Sequence, residues 1–215
     1  SCIYPKDSKQ PIKEDYLLSG YLESTNEQYA LAKICGIKMC ESLRRQYDFD
    51  CISLMPTNLF GPGDNYHKEN SHVMASLIRK FSEGAKYKYP YVTCWGSGEP
   101  KREFLHVDDL GEAAVCALEN WDPSSHDAPK DEKGNSLSFL NVGTGEEISI
   151  RELAEKIAKI ATYEGQIKWD KSKPDGTFRK RLDISKIKQI GWNPSIGLDE
   201  GITETIYRFK DENIQ

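Results

Sequence analysis

The chain has 215 residues, 38% of them hydrophobic and 29% charged, which suits one large domain or two small ones around an apolar core and excludes a disordered or low-complexity class. Acidic residues outnumber basic ones, 34 to 29, for a net charge of −5; this argues against nucleic acid as the main partner, because a phosphate-binding surface needs clustered Lys and Arg. No apolar run approaches bilayer length and the opening residues carry no secretory pattern, so no membrane partner is expected.

In chain order, "SCIYP", 1–5, reads as a strand end running into a turn at Pro5. "STNEQYALAKICGIKMCESLRRQY", 24–47, predicts a helix, with Thr25 and Gln28, or Ser24 and Glu27, as a capping box. "FDCISLM", 49–55, is a near-continuous apolar strand of the buried parallel kind, and it runs into "PTNLFGPGDN", a loop rich in turn formers. "HVMASLIRKFSEG", 72–84, predicts a helix stopped by Gly84. "VTCW" and "REFLHV" are strands around the turn "GSGEP", and "DDLGEAAVCALEN", 108–120, is a helix capped by Asp108 or Asp109. The polar stretch 121–136 reads as a surface loop or mobile insertion, and "LSFLNVG", 137–143, as a strand. "SIRELAEKIAKIATYEG" is an amphipathic helix with Ser149 and Glu152 as a capping box. The strand "QIKWD", the basic loop "KSKPDGTFRKR" and helical pieces around 183–190 and 198–213 complete the chain.

Strands alternating with helices indicate an α/β architecture with parallel pairing. No glycine-rich fingerprint follows an early strand, and "GTGEEISI", 143–150, lacks the GxGxxG spacing of a dinucleotide turn. The six cysteines, Cys2, Cys35, Cys40, Cys51, Cys94 and Cys116, form no CxxC pair. They read as buried reduced thiols of a cytosolic protein rather than a disulfide framework, and no histidine is spaced with them as a zinc ligand.

Tyr29 and Lys33 stand at i and i+4, so a helix projects both from one face. An ammonium close to a phenol favours the phenolate, which suits a general acid near neutral pH. On spacing alone the pair equally fits a half-buried tyrosine beside a solvated lysine. Cys2 alone fits a small buried hydrophobe, and His72 a histidine at a helix start. His67 and His126 read as surface loop residues and His106 as structural. The run Lys173, Asp175, Arg179 and Lys180 fits a solvated charged loop as well as an anion site.

Seven blocks in order change that balance. "SCIYPK", "TNEQYALAK", "MPTNLFGPGDN", "NSHV", "WGSGEPKREFLHVDDL", "NVGTGEEISIRELA" and "SKPDGTFRK" resemble the extended short-chain dehydrogenase/reductase family of nucleotide-sugar enzymes over nearly the whole chain. The resemblance implies the C-terminal part of a Rossmann-like doubly wound parallel sheet, 1–60, followed by a smaller α/β substrate-binding domain, 61–215, with 103–120 and 137–143 expected to return to the sheet. The family's glycine-rich turn and catalytic serine would precede Ser1, so about a third of such an enzyme is expected to be absent and the isolated chain to be inactive and unstable.

The branch with the most matching blocks epimerises C3 and C5 of a GDP-4-keto-6-deoxy sugar and reduces C4 with NADPH. For such an enzyme the resemblance makes Tyr29 the proton donor to the C4 oxygen, Lys33 the holder of the nicotinamide ribose, Cys2 the epimerising base and His72 the acid. It places Ser1, Tyr29, Lys33, Pro56, Thr57, Asn58, Leu59 and His72 against NADPH, and Lys80, Trp95, Arg102, Asp175 and Lys180 against the GDP-sugar. It further implies a cytosolic homodimer with a bundle of the Tyr29 helix and the helix around 73–84. Another epimerase or dehydratase of the same family, and a non-catalytic GDP-sugar-binding module, remain open.

Overall fold

The computed structural model describes residues 1–213. Two 3-10 turns, Glu14–Tyr16 and Ser24–Asn26, precede helix α1 (Glu27–Tyr47). Then come β1 (Ser53–Pro56), β2 (Asn58–Phe60), α2 (Val73–Lys86), β3 (Tyr91–Trp95), β4 (Lys101–Arg102), β5 (Phe104–His106) and α3 (Val107–Asn120). The chain continues through β6 (Phe139–Val142), β7 (Ile148–Ser149), α4 (Ile150–Ile160), β8 (Gln166–Asp170), β9 (Arg179–Lys180), α5 (Ser185–Gln189) and α6 (Leu198–Asn213). β1 pairs with β6 and β3 with β8, both parallel, as the strand–helix alternation predicts. No described helix is long and apolar enough to cross a membrane. The residues divide into two units: Ser1–Asn58, Asp109–Glu146 and Lys180–Pro194 form the first, and Leu59–Asp108, Glu147–Arg179 and Ser195 onward the second.

In the first unit, α1 turns Ala30, Ile34 and Ile37 inward, an i, i+4, i+7 stripe, and leaves Tyr29, Lys33 and Met39 outside. It ends on Asp48, whose left-handed backbone returns its N–H to the carbonyls of Leu43 and Arg44. Strand β6 is buried along its length and runs in register with β1, Ser53 opposite Phe139 and Pro56 opposite Val142. An asparagine survives inside it because every polar group of Asn141 is used. Its amide donates to the carbonyls of Ile12 (2.9 Å) and Asp183 (3.1 Å), its side-chain oxygen accepts from the Tyr4 hydroxyl (2.5 Å), and its N–H donates to the Glu14 carboxyl (2.9 Å). Burial is the main cause that pushes the Glu14 carboxyl up from 4.5 to about 7. It also lifts Tyr4 well above the usual phenol value, with the Glu14 charge adding to the rise.

Three expectations fail in this unit. "SCIYP" forms no strand: the Tyr4 N–H closes a turn on the Ser1 carbonyl, and its ring turns inward to Asn141. No capping box forms at 24–28, since the helix starts later, behind Asn26, whose side chain makes no cap bond. Of the six cysteines only Cys94, which belongs to the second unit, is buried; Cys2 and Cys35 are exposed and the others intermediate, all as free thiols. The loop 121–136 is anchored by buried Trp121 and Ala128, and the Leu137 N–H returns to Pro129.

The second unit is built on Phe60, Met74, Ile78, Phe81, Leu153, Ile157, Ile202 and Ile206, supplied by β2, α2, α4 and α6. Its α4 carries the predicted capping box: the Ser149 hydroxyl accepts from the Glu152 N–H (3.1 Å) and the Glu152 carboxylate accepts from the Ser149 N–H (3.0 Å). α2 does not stop at Gly84 but runs to Lys86. Gly84 is there for closeness: a Cβ would stand 2.9 Å from the Tyr163 ring and 3.1 Å from a Val92 methyl. "REFLHV" splits into β4 and β5 around the fully buried Glu103, with β4 lying between β7 and β9. α3 begins at Val107, so Asp108 and Asp109 sit inside its first turn rather than capping it.

Candidate active site

In the first unit α1 presents Tyr29, 54% exposed, with the Lys33 ammonium 5.6 Å from its ring centroid. The buried stripe of the same helix forces both onto the outer face, within reach of a ligand. The Ser1 nitrogen donates to the Pro56 carbonyl (2.7 Å), so residues 1–2 lie at the carboxyl end of β1, where open α/β sheets bind ligands. Thr57, buried, donates its N–H to the Val142 carbonyl (2.9 Å), and Asn58 opens β2. The Asn26 side chain, unused as a helix cap, donates to the Cys2 carbonyl (3.3 Å). That bond ties the backbone of Cys2, whose thiol is exposed, to the residue three positions before Tyr29.

The second unit carries Leu59, His72, Lys80, Trp95, Arg102 and Asp175. His72 is the N-cap position of α2, exposed, with no side-chain cap bond. The Trp95 ring, 58% exposed, has the Lys80 ammonium 5.5 Å and the Lys173 ammonium 5.2 Å from its centroid. Lys80 also donates to the Thr93 carbonyl (2.9 Å), and burial holds it below the ordinary lysine range. Beside it, burial pushes the Cys94 thiol up to about 11, against the opposing pull of Lys80.

Asp175 is fixed by Ser97, two residues after Trp95, whose N–H (2.7 Å) and hydroxyl (2.8 Å) both donate to its carboxylate. Those two bonds, the backbone one first, hold the carboxyl below its ordinary value, with Arg102 contributing more weakly. Gly96, at φ +79, leaves no room for a Cβ against the Asp175 carboxylate. The structure thus gathers Lys80, Lys173, Trp95, Asp175 and Arg102 into one cluster. The rest of the predicted basic loop behaves differently. Arg179 bonds Glu147 (2.6 Å) inside β9, and Lys180, the other residue of β9, belongs to the first unit.

The remaining histidines play local roles. His67 accepts the N–H groups of Glu69 (3.2 Å) and Asn70 (3.3 Å), and His126 stands exposed beside Asp127. His106 is buried, accepts the Asp108 N–H (3.4 Å) and meets Phe60 edge-on at 5.4 Å. Among the described residues no group of three or more His, Cys, Asp or Glu could hold a metal ion. Sequence reading missed Ser97 as the anchor of Asp175; the turn "GSG" marked a loop but gave no sign of its partner.

The family description "NAD dependent epimerase/dehydratase family" matches residues 1–130. The chain belongs to this family. It is 50% identical over 214 residues to a probable GDP-L-fucose synthase 1 of Oryza sativa subsp. japonica, covering 100% of this chain and 61% of that protein. It is 51% identical over 209 residues to the GDP-L-fucose synthase of Escherichia coli (strain K12), covering 97% of this chain and 64% of that one. Among solved structures, it is similar to a GDP-D-glycero-L-gluco-heptose synthase from Campylobacter jejuni in the presence of NADPH. There the TM-score is 0.81 at 31% identity, over 98% of this chain and 68% of the other. The chain therefore spans less than two thirds of the length of these two relatives.

Proposed function

We propose that the chain supplies the sugar-handling part of a GDP-L-fucose synthase: C3 and C5 epimerisation of GDP-4-keto-6-deoxy-D-mannose, then NADPH-dependent reduction of C4 to GDP-L-fucose. The observation that carries this reading is the 50% and 51% identity to two such synthases along essentially the whole chain, with Tyr29 and Lys33 side by side on the outer face of α1. The ketone at C4 acidifies the protons at C3 and C5. In this reading the exposed Cys2 removes each proton and the exposed His72 returns one to the opposite face. Tyr29 then gives its phenolic proton to the C4 oxygen as that oxygen gains charge. Lys33, held beside the phenol, orients the nicotinamide ribose.

The residues present fit the nicotinamide end of NADPH: an exposed phenol–ammonium pair, with Ser1, Pro56, Thr57 and Asn58 at the end of β1 and Leu59 following in sequence. When bound, NADPH supplies the hydride that reduces C4. Trp95 offers a flat face for the nucleotide, Asp175 a fixed carboxylate for base or ribose, and Lys80, Arg102 and Lys180 cations for the diphosphate. We propose a cytosolic location and a homodimer, and the exposed Leu31 and Met39 on α1 support the homodimer.

The test is NADPH oxidation by a protein of the relatives' full length that includes this chain. GDP-4-keto-6-deoxy-mannose should support turnover and its UDP counterpart should not. Equal turnover would point instead to another epimerase or dehydratase of the family, and GDP binding without NADPH oxidation to a binding module.

A further inference from the structure

Two thiols outside the proposed chemistry are held next to each other by the fold. Cys40 lies in α1 and Cys51 in the segment leading to β1, both partly exposed and both in the first unit. The Cys51 thiol donates to the Cys40 carbonyl at 3.3 Å. A second contact fixes the same approach. Arg44 follows Cys40 by four residues, so it projects from the same helix face. Its guanidinium donates to the Cys51 carbonyl from Nε (3.3 Å) and Nη2 (3.2 Å). Arg44 is itself held by Asp50 (2.5 Å) and Ser124 (3.4 Å). One helix turn therefore grips Cys51 at both its backbone and its sulfur.

We propose that Cys40 and Cys51 form a redox modification site that closes to an intramolecular disulfide with a small-molecule disulfide such as oxidised glutathione. One cysteine thiolate attacks a glutathione sulfur, forming a mixed disulfide and releasing one glutathione thiolate. The second cysteine thiolate then attacks the protein sulfur of that mixed disulfide and releases the second glutathione thiolate. Two protein thiols are oxidised, and the two protons they give up pass to the released glutathione thiolates, so one glutathione disulfide is reduced to two glutathiones. Adjacency is the reason the second step is favoured: the resolving thiol is already in place, whereas a solitary exposed cysteine stops at the mixed disulfide. Burial first, and then the Cys40 thiol, push the Cys51 thiol above its ordinary range, in keeping with two sulfurs facing each other. The bond would staple the segment leaving α1 to the helix that carries Tyr29 and Lys33.

The experiment treats a protein of the relatives' full length that includes this chain with oxidised glutathione, alkylates remaining thiols and maps peptides without reduction. The expected result is a cross-linked peptide joining residues 40 and 51, lighter by two hydrogens, while exposed Cys2 and Cys35 carry glutathione. In Cys40→Ser and Cys51→Ser, each checked for folding by circular dichroism, the surviving partner should retain one glutathione. Cys40 and Cys51 both alkylated in the unmutated chain, or both glutathionylated without cross-link, would overturn the proposal.

Discussion

Replacing Glu14 by Gln should change how stability depends on pH, and the size follows from the structure. Glu14 is 3% exposed and its carboxyl is raised from 4.5 to about 7, chiefly by burial. The folded state thus holds this proton more tightly than the unfolded chain does. Stability associated with it is fully present below about pH 4.5 and is lost as pH rises through about 7. A difference of some 2.5 pH units corresponds to about 3 kcal/mol. A glutamine keeps an oxygen able to accept the Asn141 N–H but has no charge to bury. Urea unfolding at pH 5 and pH 8 should therefore show the two proteins close at the lower pH. At the higher pH Glu14→Gln should be more stable by about 3 kcal/mol. A stability difference that is the same at both pH values would refute the assignment of an ionising, buried carboxyl at this position.

Other perturbations test the packing and the proposed nucleotide contact of Trp95. Gly84→Ala gains about 1 kcal/mol of helix propensity but drives a methyl into Tyr163 and Val92, so a net loss of about 1 kcal/mol is expected in thermal or urea melts. Ser149→Ala removes the cap of α4 and should lower stability by about 1 kcal/mol by the same measurement. Trp95→Ala should weaken GDP binding roughly tenfold in calorimetry, about the value of one aromatic contact, with the melt unchanged because the ring is mostly exposed.

What could be read from the sequence was what nearest neighbours decide. The Ser149–Glu152 box lies within one turn and the strand "QIKWD" within five residues, and both form as predicted. Tyr29 and Lys33 were legible as a pair because helix geometry alone aligns i and i+4. The misreadings share a cause in distant partners. Gly84 looked like a helix stop because the Tyr163 ring that requires a glycine there lies far along the chain. "SCIYP" looked like a strand because nothing local reveals that Tyr4 bonds Asn141. The burial expected for the thiols held only at Cys94 and failed most plainly at exposed Cys2 and Cys35, since an apolar neighbourhood in sequence does not fix which way a side chain points. In the candidate site, Trp95 and Asp175 were legible as residue types, while the Ser97 bonds that hold Asp175 were not.

The division of labour between Cys2 with His72 and Tyr29 with Lys33 is tested most directly by running the reaction in heavy water. Deuterium at C3 and C5 of the GDP-sugar is then counted alongside NADPH oxidation, in a protein of the relatives' full length carrying these residues. Tyr29→Phe should keep the exchange at both carbons and lose reduction by about 100-fold or more, whereas Cys2→Ser should lose the exchange. Exchange at the unmutated rate in Cys2→Ser, or undiminished reduction in Tyr29→Phe, would contradict the account.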